Sequence, residues 1–242
     1  MTAPEPARPD PAAGVFETIR VERGAALFLA DHLDRLRASV RALYGAELRA
    51  ELDACVAGAL GRAPDDGARR LRVLATPSSG TGVGLEASLA SLGPAAERTA
   101  VPLRTWTVPG GLGAHKWTDR RGIDAAARRL DATPLIVEPG AEVLEVAWGN
   151  VWALEGTRLV TPPADGRILP GVTRARLLGV AGELGLEAAE ERLSLERLAH
   201  ADAILLTSSL RLAVPGHLAC APDGKGADVA AAIAAALLEA AT

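Results

Sequence analysis

A two-unit α+β fold is the architecture predicted for this chain of 242 residues, and three observations predict it. Apolar strand-like segments follow one another with helices outside them and no regular βαβ alternation, which argues against a doubly wound sheet. One glycine-rich stretch, VPGGLGAH, interrupts the chain near its middle. The apolar fraction of 49% is sufficient for a core on each side of that break. The expected division is a flexible leader over 1–13, a small N-terminal unit over 14–108, a connection over 109–116 and a larger unit over 117–242.

The elements follow in order. From Gly14, VFETIRVERGAALFL alternates apolar and polar residues around an Arg-Gly turn and predicts a hairpin. ADHLDRLRASVRALYG sets Leu33, Leu36, Val40 and Leu43 on one helical face, with Asp31 as expected N-cap and Gly45 as the stop. A second helix is expected near 47–60. RRLRVLATP and the segments near 84–90 and 99–108 predict the remaining strands of the small unit.

Beyond the connection, Asp119–Leu130 predicts a helix, and TPLIVEP, EVLEVAW, NVWALEG and RLVTPP predict four short strands broken by Gly and Pro. LPGVT opens a helix through RARLLGVAGELG. A strand in LEAAEERL, a short helix near Leu195, a strand AILLTSS, a return strand RLAV and a terminal helix in GADVAAAIAAALLEAA complete the order. No internal repeat is evident.

Composition excludes several classes. The net charge is −4 and arginines are interspersed with acids, so nucleic acid is not the expected partner. No uncharged apolar run is long enough to span a membrane, and the Pro-rich, polar start is unlike a signal peptide. The expectation is a soluble, cytoplasmic protein. Cys55 and Cys220 fit no metal spacing and read as buried free thiols, so no metal site is expected.

Lysine is rare here. Of 26 basic residues only Lys116, in GAHKWTDRR, and Lys225, in the polar PDGKGAD, are lysine. Arginine replaces lysine as a charge, but only an amine can lose its proton and attack a carbonyl. Lys116 is therefore a candidate covalent residue, and Lys225 reads as a solvated loop residue. A Schiff-base lysine holding pyridoxal phosphate needs an anion site and an acid for the pyridine nitrogen. LPGVTRARL turns directly into a helix whose first N–H groups, at Val172 and Thr173, suit a phosphate, and TSSLRLAVP adds hydroxyls at a strand end.

The ordered set VFETIR, HLDRL, HKW, EVLEVAWGN, TPP, ILPGVTR and TSSLRLAVP, from about Gly14 to Pro215, resembles the class IV aminotransferase family of fold-type IV pyridoxal-phosphate enzymes. The family includes branched-chain and D-amino-acid aminotransferases and 4-amino-4-deoxychorismate lyase. The resemblance implies a small N-terminal α/β sandwich, a larger C-terminal β-rich domain with outer helices, pyridoxal 5'-phosphate as cofactor and a homodimer. It makes Lys116 the covalent lysine and proton-transfer base, Arg35 the arginine for the cofactor phosphate, and Glu145 the acid on the pyridine nitrogen. It makes Leu169 the residue packed on the ring, Val172 and Thr173 backbone phosphate donors, and Ser209 a further phosphate hydroxyl. Without the resemblance, Arg35 reads as an exposed helix residue and Glu145 as a solvent-facing strand residue.

Some positions depart from the family pattern. The tyrosine that some members place shortly after the lysine, against the ring hydroxyl, is absent; Asp119, Arg120 and Arg121 stand there instead. Arg120 and Arg121 are also expected to depress the Lys116 pKa. Trp148 either narrows the pocket or is a buried structural indole. Candidates for substrate carboxylate recognition are Arg104, Arg211 and the loop TPSSGTGVG at 76–84.

Compactness points first to a lyase that converts 4-amino-4-deoxychorismate to 4-aminobenzoate and pyruvate. The alternatives are an aminotransferase acting on branched-chain or D-amino acids and a non-catalytic cofactor-binding protein. Each takes a small-molecule amino substrate or the cofactor alone.

Overall fold

The computed structural model describes residues 8–61, 67–78, 82–93, 100–218 and 224–241. The N-terminal sheet is formed by β1 (Val15–Glu22), β2 (Ala25–Ala26), β3 (Arg69–Pro77) and β4 (Val83–Ser91) in the order β2-β1-β3-β4, all antiparallel. Helices α1 (Leu29–Tyr44) and α2 (Ala50–Leu60) cover one face. Strand parity selects that face: Val15, Ile19 and Val21 of β1 join Leu71, Val73 and Ala75 of β3 against Leu36, Val40, Leu52 and Val56 of the helices.

The second sheet has nine strands in the order β10-β9-β8-β12-β13-β5-β6-β7-β11. They are β5 (Val101–Thr107), β6 (Thr133–Val137), β7 (Glu142–Val146), β8 (Asn150–Glu155), β9 (Arg158–Thr161), β10 (Glu187–Glu190), β11 (Leu193–Ser194), β12 (Ala203–Ser208) and β13 (Leu212–His217). Pairing is parallel at β10–β9, β13–β5 and β5–β6 and antiparallel elsewhere. Around it lie α3 (Arg121–Leu130), α4 (Val172–Val180), α5 (Leu195–Ala199) and α6 (Gly224–Glu239). The fold is thus mixed α and β with two sheets, as expected. Its core reads as near-continuous apolar runs, with Val151–Leu154 and Ala203–Leu206 all buried, because both faces are covered.

Four local expectations are corrected. Strand β5 was assigned to the small unit, yet it pairs with β6 and β13 in the large sheet, a non-local pairing that alternation does not disclose. Asp31 is not the N-cap of α1: Phe28, in the left-handed region, precedes Leu29, and Asp31 lies in the first turn. There it accepts a 2.6 Å bond from Arg176 Nε of α4. Lys225 belongs to the opening turn of α6, not to a loop. Cys55 is a free, half-buried thiol, and Cys220 lies outside the described residues.

The stretch after the glycine-rich connection ties the two sheets together. Phe16 N–H donates to the Lys116 carbonyl at 2.9 Å and Thr118 N–H to the Gly14 carbonyl at 3.0 Å, so residues 116–118 run as a short partner of β1. Gly14 permits this crossing. Its φ is +90°, and an added Cβ would stand 2.5 Å from the Ala75 carbonyl oxygen. Among the described residues no helix is long and apolar enough to cross a membrane.

Candidate active site

Lys116 sits where the two sheets meet, with its ammonium 5.1 Å from the Phe16 ring centroid. It lines two neighbouring spaces. One, of about 40 Å³, is lined by Glu145, Trp148, Leu169 and Arg120; the other, of about 330 Å³, by Phe16, Arg72, Trp148, Ser209 and Arg211, again with Arg120. Desolvation, and then Arg35 and Arg120, pull the amine down to about 8, against the pull of Glu17 and Glu145. The expected depression by Arg120 is therefore present. That by Arg121 is not, because its exposed guanidinium is engaged by Asp119 at 2.8 Å.

Glu145, on β7, is buried. Burial pushes its carboxyl up to about 8, while the Leu169 N–H, Lys116 and Arg35 act in the opposite direction. Leu169 is held from both sides: its N–H donates to Glu145 Oε2 at 3.2 Å, and its carbonyl accepts from Asn150 Nδ2 at 3.0 Å. Sequence reasoning used Asn150 only as a landmark; the structure makes it the clamp on the Leu169–Gly171 turn. An added Cβ at Gly171 would lie 1.9 Å from Asn150 Oδ1, so this turn closes only on glycine.

Gly171 caps α4 without a side-chain hydrogen bond, which leaves the first-turn N–H groups of buried Val172 and Thr173 without an intrahelical partner. Arg35 reaches the same turn, its Nη1 donating to the Pro170 carbonyl at 2.9 Å. Its other side is gripped by Glu17: Nε donates to Oε1 at 2.7 Å and Nη2 to Oε2 at 2.8 Å. One N–H on each terminal nitrogen stays free for an anion.

Sequence reasoning missed Glu17 and His32. His32 Nδ1 lies 2.8 Å from Glu17 Oε2, and its Nε2 lies 3.1 Å from Ser209 Oγ. Desolvation lowers the His32 pKa despite Glu17, so the neutral ring donates to Glu17 and accepts from Ser209, a tautomer assigned from the network. The Ser209 hydroxyl proton is thereby committed to His32, which leaves its oxygen as an acceptor and its expected donation to phosphate without a proton. A signal for Glu17 was present: it occupies an inward position between Val15 and Ile19, where a carboxylate must be paired.

Of the three residues open as partner of the cofactor ring hydroxyl, Asp119 is spent on Arg121 and on the Asp10 N–H at 3.0 Å. Arg120 lines both spaces and is steadied by donating to the Ala147 carbonyl at 3.0 Å. Trp148 walls both spaces and so narrows the pocket. Arg211 stacks on its ring, 4.7 Å from the centroid. Arg104 lines neither space, and residues 79–81 of the expected recognition loop lie outside the described residues.

These residues fit pyridoxal phosphate. A buried acid and a desolvated amine line one cavity with Leu169, and the glycine-closed start of α4, two residues further along the chain, lines a neighbouring space with Arg35.

Comparison with known proteins agrees. The family model for amino-transferase class IV matches residues 14–218. A hypothetical aminotransferase from Mycobacterium tuberculosis is similar in structure in its PLP-bound form, with a TM-score of 0.84, 25% identity, and 100% of this chain and 94% of that chain covered. The form described as α-ketoglutarate- and PMP-bound gives the same score and identity over 98% and 94%. A fold IV-transaminase from Curtobacterium pusillum has a TM-score of 0.81 and 25% identity over 98% and 91%. A probable branched-chain-amino-acid aminotransferase from Streptomyces coelicolor is 36% identical over 101 residues, 39% of this chain but 28% of that protein. The chain thus matches less than a third of the length of such curated relatives.

Proposed function

The chain belongs to the class IV aminotransferase family of pyridoxal-phosphate enzymes, and from that premise we propose that it catalyses transamination between a small amino acid and a 2-oxo acid. The observation that carries the reading is the single cavity in which Lys116, Glu145 and Leu169 converge beside Arg120 and Trp148. Relatives of matching length support it, since proteins named as aminotransferases or transaminases are covered to 94% and 91%. Compactness therefore no longer favours the lyase over the transaminase.

When bound, the cofactor supplies an electron sink for the carbon bearing the substrate nitrogen. Arg35 and the Val172 and Thr173 N–H groups would bind the phosphate; Glu17 fixes the plane of Arg35, and His32 ties Ser209 to the same carboxylate. Glu145 would stand against the pyridine nitrogen, its carboxyl pushed up to about 8 by burial. Leu169, clamped by Asn150 and Glu145, would pack the ring, and Arg120 would meet the ring hydroxyl. Lys116 would hold the cofactor and move the proton at the substrate carbon; burial draws its amine down to about 8, which keeps a useful fraction neutral. The homodimer and the cytoplasmic location expected from the sequence belong to the same reading.

The lyase shares every one of these residues and differs only in the fate of the carbanion. Pyridoxal-phosphate-loaded protein is to be assayed with paired amino donors and 2-oxo acceptors, and separately with aminodeoxychorismate and no oxo acid. Amino transfer in the first assay supports the proposal. Stoichiometric pyruvate and 4-aminobenzoate in the second, without transfer in the first, replaces it with the lyase.

A further inference from the structure

The larger space in front of Lys116 is basic to an unusual degree. Arg70 and Arg72 enter from β3, Arg120 from the segment after the lysine, and Arg211 from the turn between β12 and β13. Strand parity puts the first two there: Thr18 of β1 pairs with Arg72 and Arg20 with Arg70, on the face opposite Ile19, Leu71 and Val73. Among the described residues none of the four arginines makes a salt bridge. Glu86 acts on Arg72 and Asp124 on Arg120 only at longer range, while Arg70 and Arg120 repel Arg72. Like charges gathered without counter-charges in a partly desolvated cleft attract an anion strongly.

The apolar walls of this space are already covered. Arg72 lies over the Phe16 ring at 4.0 Å from its centroid and Arg211 over Trp148 at 4.7 Å. An aliphatic side chain entering here would meet guanidinium planes or have to displace them. The phosphate of the cofactor has separate partners in Arg35 and the start of α4 and its ring hydroxyl has Arg120, so Arg70, Arg72 and Arg211 are left for the substrate. A carboxylate in the bidentate geometry is satisfied by one or two guanidinium groups, so the remaining cation suits a second carboxylate.

We infer that the site accepts dicarboxylic substrates in both half-reactions, the amino donor as well as the oxo acid, and excludes branched aliphatic amino acids. The inference rests on the transamination reading, in which one site serves donor and acceptor in turn. It sets this chain apart from relatives named for branched-chain amino acids.

The test uses pyridoxal-phosphate-loaded protein and follows cofactor absorbance in single half-reactions with the L and D forms of glutamate, aspartate, leucine and valine. Glutarate and 4-methylpentanoate serve as unreactive competitors. A dicarboxylic donor is expected to convert the cofactor roughly 100-fold or more efficiently than leucine, and glutarate to compete where 4-methylpentanoate does not. Arg72→Leu and Arg211→Leu are each expected to lower that efficiency roughly 10- to 100-fold, through KM more than kcat, with the bound-cofactor spectrum unchanged. Conversion by leucine as readily as by glutamate, or glutarate competition untouched in both variants, overturns the inference and leaves transamination standing. Conversion by no donor overturns transamination, and the inference falls with it.

Discussion

Glu17 of β1 and Arg35 of α1 meet in a two-pronged grip, Nε to Oε1 at 2.7 Å and Nη2 to Oε2 at 2.8 Å, inside the core of the small sheet. Burial alone would push the Glu17 carboxyl up, but Arg35 and His32 reverse this and hold it at about 2. A carboxyl depressed in the folded state contributes stability that is present above its ordinary value of 4.5 and lost as pH falls toward 2. Glu17→Gln is expected to lower stability at pH 7 by on the order of 3 kcal/mol, to flatten the acid limb of denaturant unfolding between pH 5 and about 2, and to weaken cofactor binding through a loosened Arg35. Unchanged acid unfolding would remove Glu17 from this role.

Lys116 has its amine drawn down to about 8 by desolvation and by the neighbouring Arg35 and Arg120. Covalent capture of pyridoxal phosphate by the apoprotein needs the neutral amine. Its rate is expected to rise roughly tenfold per pH unit below that value and to level off above it. Lys116→Arg keeps the charge but not a removable proton, so the lysine-linked cofactor absorbance should vanish in that variant. Capture that rises only near pH 10 would contradict the burial of this amine.

Glu145 titrates in the opposite sense. Its folded value is raised from 4.5 to about 8, so its contribution is present below 4.5 and is lost as pH rises through about 8. Thermal unfolding of the apoprotein is expected to show a falling midpoint across that window. Glu145→Gln should flatten the fall and raise the midpoint at pH 8 by roughly 2–4 °C for each kcal/mol recovered, while amino transfer by the loaded enzyme is lost. Lys116 works in a separate window, between about 8 and 10.5, where stability rises with pH.

Gly171 tests the clamp at the start of α4. Its φ of −65° is ordinary, so any side chain is opposed by space alone: an added Cβ meets Asn150 Oδ1 at 1.9 Å. Gly171→Ala is expected to cost roughly 1–3 kcal/mol and to weaken cofactor binding. Asn150→Ala in the same chain should return part of the stability but not the affinity, because Leu169 loses its second hydrogen bond. A strictly additive double variant would mean that the two residues do not touch.

Much of the secondary structure was legible because each element carries its own period. β1 alternates, α1 repeats its apolar residues on one face and ends at Gly45 with φ +64°, and the strands of the large sheet are short apolar runs cut by Gly and Pro. Lys116 stood out for a chemical reason, as one of two amines in a chain of arginines. Strand β5 was misplaced because its partners are distant in sequence, and Asp31 was taken for a cap because its true partner, Arg176, lies on another helix. Glu17 went unread although its inward position between two core residues marks a carboxylate that needs partners.

The sequence by itself determined the order and type of the elements, the family pattern and the choice of Lys116 as candidate covalent residue, because each rests on short motifs that are local in the chain. Only the tertiary structure decided that Glu17, His32, Arg35 and Ser209 form one network, that Arg120 and not Asp119 or Arg121 faces the cavity, and that Arg70, Arg72 and Arg211 gather before Lys116. Such convergence depends on which face of a strand or helix meets another across the fold. Packing sets that relation between segments, and no local period encodes it.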